Sequence, residues 1–182
     1  MIYRFKYDWN FSQSDIINQL YKNKSIKKEL GGNTSPNTDE IVFKCKEFSD
    51  IEDYVFDLYQ LIKGINVDEY AFNMWSYIQN KNTKDEVYHR HLSLDGSRTE
   101  IPTDYTFCFY VQIPTNINEG EGDLLLKKEN GKIEKIIPNE GDIIFFPGNI
   151  WHVPTLTPNS EKDRIVIAGN INCNFLANKN LV

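Results

Sequence analysis

Hydrophobic positions along the chain change their period near residue 69. Before that point they follow helical spacing. "SQSDIINQLYKNK" (12–24) opens on Ser12-x-x-Asp15, which resembles a capping box. "GGNTSPNTDE" (31–40) is a loop by composition, and "IVFKC" (41–45) is a short predicted strand. A helix is predicted next, opened by a Ser49-x-x-Glu52 capping box. It carries Ile51, Tyr54, Val55, Leu58, Leu61 and Ile62 on one stripe and stops at Gly64. Such a stripe must lie against something large and apolar.

From residue 69 the pattern becomes that of strands, predicted at 69–79, 86–92, 105–113, 122–128, 131–137, 142–146, 150–155 and 164–172. In "DYTFCFYVQI", Tyr105, Phe107, Phe109, Val111 and Ile113 face one way, and Thr106, Cys108, Tyr110 and Gln112 the other. Asn130-Gly131 is the strongest hairpin signal in the chain. Short strands parted by Gly, Pro and Asn turns indicate a sandwich or barrel. The expectation is a mainly β protein with N-terminal helices: a jelly-roll core of about eight strands. Residues 1–68 form a helical buttress rather than a domain, since so short a stretch cannot bury its own apolar stripe.

Composition narrows this. A chain of 182 residues, 40% of them hydrophobic, suits one domain over 1–182 with its core at 69–175. The net charge of −6 argues against a nucleic-acid footprint. No apolar run approaches the length of about 18 residues that spans a bilayer, and the charged start does not read as a signal peptide. Cys45, Cys108 and Cys173 form an odd, widely spaced set, which suits free thiols in a reducing cytoplasm.

The chain has only three histidines, and two of them stand one residue apart in "YHRH" (88–91). On a strand, positions i and i+2 share a face, so Val87, His89 and His91 project together. A third imidazole from a neighbouring strand completes a facial set with open positions, and His152 is the one histidine left to supply it. Arg164 heads an otherwise apolar strand face with Val166, Ala168 and Asn170. Either it is a strand-end arginine bonded to a nearby acid, or it is a guanidinium fork awaiting a carboxylate that arrives with a ligand.

At this point the chain resembles the iron(II)- and 2-oxoglutarate-dependent oxygenases, in particular small members whose first motif is written HxH. The resemblance covers about residues 69–172. It rests on "WSYIQNK", "YHRH", "FCFYVQIP", "EGDLLLK", "EGDIIFFPGNIWH" and "RIVIAGN" in that order. It implies a double-stranded β-helix (a cupin-like jelly roll) that binds Fe(II) and 2-oxoglutarate as cosubstrate. It also implies oxidative decarboxylation to succinate and CO2, with hydroxylation of an unidentified substrate. By the same resemblance His89 and His152 bind iron, and Arg164 pairs with the distal carboxylate of 2-oxoglutarate. Asn170 and Tyr110 are candidates for hydrogen bonds to the cosubstrate. Trp75 is a candidate pocket residue, although core packing is the simpler reading for Trp75 and Trp151 alike.

The chain departs from the family at His91, which stands where the usual triad has a carboxylate. Geometry favours His91 as third ligand over an acid such as Asp95, and Asp123 falls on a strand whose acid is not usually a ligand. The polar loop 93–104 is the first place to look for a specificity element. The substrate, a small molecule or a peptide, is left open, as is the oligomeric state. Two rivals stand beside the oxygenase: a three-histidine cupin-type metalloenzyme without 2-oxoglutarate, and a metal-free jelly-roll binding or structural protein.

Overall fold

The computed structural model describes residues 1–9, 12–22, 25–26, 33–34, 46–66, 70–84, 86–92 and 103–173. Its helices are α1 (Gln13–Lys22) and α2 (Lys46–Lys63). Its strands are β1 (Tyr3–Lys6), β2 (Ser25–Ile26), β3 (Asn33–Thr34), β4 (Ala71–Gln79), β5 (Tyr105–Gln112), β6 (Leu124–Lys127), β7 (Ile133–Ile136), β8 (Asp142–Pro147), β9 (Trp151–Pro154) and β10 (Arg164–Asn172). They form a seven-stranded antiparallel sheet, ordered β1-β8-β5-β10-β4-β3-β2, and a three-stranded one, β7-β6-β9. Residues 86–92 lie beside β9, joined to it through a bridge between His89 and His152. From β4 onward the chain passes repeatedly between the sheets, so that four core strands of the large sheet face four segments of the small one. That is the double-stranded β-helix.

Alternation sorts the side chains as expected. Phe107, Phe109, Val111, Ile165, Ile167 and Ile171 turn outward to a cluster completed by Ile16 and Leu20 of α1 and Phe48, Ile51, Val55 and Tyr59 of α2. Each of these buried side chains contributes about 1.5–3 kcal/mol of transfer free energy. Both helices therefore cover the outer face of the large sheet. Cys108, Tyr110, Ile144, Phe146, Val166 and Ala168 turn inward against Leu124 and Leu126 of the small sheet.

Three local expectations change. α2 begins at Lys46, so Ser49 lies inside the helix rather than at its cap, and Glu52 instead accepts the Tyr70 hydroxyl at 3.2 Å. Leu61, placed on the apolar stripe, is 69% exposed, and Tyr59 is buried instead. Ile113 packs with the inward cluster, because an irregularity in the β5–β10 register pairs Ile165 with Gln112 but Val166 with Tyr110. The Asn130-Gly131 turn joins β6 to β7 as predicted, with Gly131 at φ 78°. The 41–45 strand, Asp95 and most of the 93–104 loop lie outside the described residues. No helix among the described residues is long and apolar enough to cross a membrane.

Candidate metal centre and ligand cavity

The three histidines converge, and the way the small sheet ends explains their orientation. His89 N–H donates to His152 O at 3.0 Å, and His152 N–H donates back to His89 O at 2.8 Å. A continued antiparallel ladder would next pair Val87 with Pro154 on one side and His91 with Ile150 on the other. Neither pair forms. Pro154 has no N–H to offer Val87, and His91 N–H donates instead to Gly148 O at 2.9 Å. Segment 86–92, predicted as a full strand, is therefore held by one bridge and a loop contact.

Two carbonyls that the ladder would have consumed are released by this truncation. Val87 O lies 2.9 Å from His89 Nδ1, and Ile150 O lies 3.1 Å from His152 Nδ1. A carbonyl only accepts, so Nδ1 carries the proton in both rings and Nε2 keeps its lone pair for a ligand. The loop contact needs glycine at 148: a Cβ there would sit 2.7 Å from His91 O and 2.5 Å from the Thr103 Cγ2 methyl.

One donor atom from each of His89, His91 and His152 lies within 4.8 Å of the others. Burial, then the charge of His89, lowers the His91 pKa to about 4 and that of His152 to about 3. Both rings are neutral at physiological pH, so a cation need not displace a proton from either. Donor set, tautomers and protonation thus fit a divalent metal with imidazole preference, iron among them. Asp123, 3% exposed, has its carboxylate 3.6 Å from Lys135 Nζ and does not line the cavity.

The trio stands in a cavity of about 390 Å³ between the sheets. Arg164 lines the same cavity and is 1% exposed, yet its Nε and Nη1 have no hydrogen-bond partner. Among the described residues no carboxylate comes within ion-pair distance of it. Tyr110 also lines the cavity, and burial raises its pKa far above the ordinary value, which keeps its hydroxyl protonated. Asn170 shares the inward face but not the cavity. Its Oδ1 accepts the Thr106 hydroxyl at 2.9 Å and its backbone N–H donates to Asn73 Oδ1 at 3.1 Å.

Trp75 packs against the inward cluster and also lines the cavity, its ring centroid 5.3 Å from that of His91. Trp151 faces outward, 41% exposed, under the Arg90 guanidinium at 4.9 Å. Sequence reasoning missed Tyr77, which alternation from Trp75 would have found. It also missed Glu86, which no alternation signals, because residue 86 precedes the bridged segment. Glu86 lines the cavity, and its Oε1 accepts the Tyr77 hydroxyl at 2.5 Å and Gln79 Nε2 at 2.8 Å.

Fold and site together define a class: a double-stranded β-helix with three imidazoles gathered on its inner face and a buried guanidinium beside them. Solved structures of the same architecture include a prolyl-4-hydroxylase from Pseudomonas putida, with a TM-score of 0.65 and 12% identity over 94% of this chain and 91% of that one. The viral collagen prolyl hydroxylase of Paramecium Bursaria Chlorella virus-1, solved as its 2OG complex, gives 0.62 and 18% over 93% and 95%. A 2OG-Fe(II) oxygenase family oxidoreductase from Burkholderia pseudomallei gives 0.61 and 8% over 90% and 78%. At such identities the likeness establishes the fold, and the jelly roll expected from the strand pattern is that fold. No family sequence model matches the chain, and no curated protein sequence matches it.

Proposed function

We propose that this protein is a non-haem Fe(II)- and 2-oxoglutarate-dependent dioxygenase that hydroxylates a small-molecule or peptide substrate and releases succinate and CO2. The observation that carries this reading is Arg164: a buried cation with unpaired donors, in one cavity with three converging imidazoles. A buried charge without a partner is costly, and an anionic ligand that fills the cavity removes the penalty. The fold neighbours support it, since they include proteins described as 2OG-Fe(II) oxygenases and prolyl hydroxylases.

In this reading His89, His91 and His152 hold the iron, which supplies the redox chemistry that couples oxygen to 2-oxoglutarate and substrate. The chain's own contributions are positional. Val87 O and Ile150 O orient two of the ligand rings. Arg164 anchors the distal carboxylate of 2-oxoglutarate by a bidentate, charge-assisted pair, and the Tyr110 hydroxyl stands on the same wall as a hydrogen-bonding group. Trp75 and the apolar wall of Val166 and Ala168 shape the cavity beside the imidazoles.

A second reading is favoured by His91, which occupies the place of a carboxylate, as in a three-histidine cupin that works without 2-oxoglutarate. One anaerobic titration separates the two. Fe(II) followed by 2-oxoglutarate gives a visible metal-to-ligand charge-transfer band in the oxygenase, and His89→Ala and Arg164→Ala abolish it. Tight iron binding with no band supports the cupin, and absence of iron binding refutes both.

A further inference from the structure

Glu86 is the only carboxylate among the described residues that line the cavity, and it shares that cavity with an unpaired guanidinium. The two are close along the fold. Gln79, whose Nε2 donates to Glu86, is the cross-strand partner of Arg164 in the β4–β10 ladder, and Tyr77 pairs with Val166 in the same ladder. Tyr77 feels the charges of both Glu86 and Arg164. Opposite charges in one poorly solvated space attract strongly, yet no ion pair forms, and both donors that hold Glu86 do so through one oxygen, Oε1.

We propose that Tyr77 and Gln79 are positioning residues that restrain Glu86 and so keep Arg164 free for the incoming carboxylate. The inference rests on the reading of Arg164 as the anchor for 2-oxoglutarate. Without the restraint, Glu86 turns onto the guanidinium and competes with the cosubstrate as an internal anion. The Tyr77 hydroxyl is a dependable restraint. Burial first, then its bond to Glu86, pushes its pKa far up, so it stays a donor throughout the physiological range.

The test is calorimetric binding of 2-oxoglutarate to anaerobic Fe(II)-loaded protein for wild type, Tyr77→Phe, Glu86→Gln and the double variant. Tyr77→Phe is expected to weaken binding about tenfold or more, while Glu86→Gln binds at least as tightly as wild type. The double variant is expected to return to the Glu86→Gln value, a rescue that loss of packing at Tyr77 would not give. Should Tyr77→Phe fold poorly, Gln79→Met removes the other donor and is expected to act in the same direction, again rescued by Glu86→Gln. A double variant as weak as Tyr77→Phe, or a Glu86→Gln protein that binds worse than wild type, overturns the proposal while leaving the oxygenase reading intact. Wild-type protein that binds Fe(II) but not 2-oxoglutarate overturns both.

Discussion

Replacing Arg164 by methionine is expected to move stability in opposite directions with and without ligand. In the ligand-free protein the guanidinium is 1% exposed, and two of its nitrogens have no partner. Each buried unsatisfied donor costs about 1–3 kcal/mol, so the ligand-free fold carries a penalty of roughly 2–6 kcal/mol at this position. Methionine keeps much of the volume and removes the charge. The ligand-free variant should therefore be as stable as wild type or more so, by up to about 4 kcal/mol. With 2-oxoglutarate the sign reverses. Two charge-assisted hydrogen bonds at about 1.5–3 kcal/mol each amount to a 10²- to 10⁴-fold loss of affinity, in order of magnitude. Urea denaturation of Mn(II)-loaded protein, with and without saturating 2-oxoglutarate, reads both effects. Wild type should gain about 2.7 kcal/mol at a ligand concentration near 100 times its Kd, and the variant should gain almost nothing at the same concentration. Loss of more than about 2 kcal/mol by the ligand-free variant would mean that Arg164 is already paired. Ligand stabilisation retained in the variant would refute its role as anchor.

Three further outcomes follow from the same geometry. Pro154→Ala supplies the N–H that a continued ladder needs, so Val87 O is drawn away from His89 Nδ1. Metal affinity should fall about 10- to 100-fold, with the His89 tautomer shift visible by ¹⁵N NMR of metal-free protein, and unchanged tautomer and affinity would exclude this role for Pro154. Stability of the metal-free protein should fall as pH drops from 6.5 towards 4. The folded pKa values of His91 (about 4) and His152 (about 3) lie below the unfolded 6.5, so in that window the unfolded chain binds more protons. Each histidine adds a slope of about 1.4 kcal/mol per pH unit, and His152→Asn should remove one of the two; an unchanged slope in the variant speaks against it. Burial raises the Cys108 thiol to about 12, so iodoacetamide at pH 8 should leave it unmodified in the native protein and modify it after unfolding, as peptide mass mapping would read out.

The strand pattern was legible because the two faces of the large sheet meet different apolar partners. Each inward or outward residue of β5 and β10 is fixed by burial, and period-2 alternation records that directly. His89, His91 and His152 stood out instead by spacing and scarcity, and the fold brings them together although His89 is exposed. Arg164 stood out as a charge on an apolar strand face. What alternation could not record were events where the sheet stops. Segment 86–92 looks like a strand, but Pro154 and the turn at Gly148 cut its ladder to a single bridge. Asn170 keeps the inward direction that alternation assigns, but a neighbour on β5, Thr106, takes its side chain. Glu86 lies beyond the bridged segment, where period 2 no longer applies. The α2 cap was misread because helix boundaries depend on where the packed face begins, and Phe48 extends that face ahead of Ser49.

The charge balance of the cavity bears on which ligand it selects. A usual two-histidine, one-carboxylate triad brings a negative charge to a divalent cation, whereas three imidazole ligands bring none, so in the proposed reading the metal end is one unit more positive. Arg164 adds a further positive charge at the other end, and Glu86, the single acid on the wall among the described residues, is tied up by Tyr77 and Gln79. A metal-loaded cavity of this kind is strongly cationic at both ends of an apolar span. Its best match is a short dianion with one carboxylate at each end, able to chelate metal at the first and accept a guanidinium fork at the second. 2-Oxoglutarate has that form. A monoanionic 2-oxoacid of similar length would meet the metal end equally well but leave Arg164 as unpaired as it is in the empty fold. The arginine, more than the number of histidines, therefore decides between the oxygenase and the cupin.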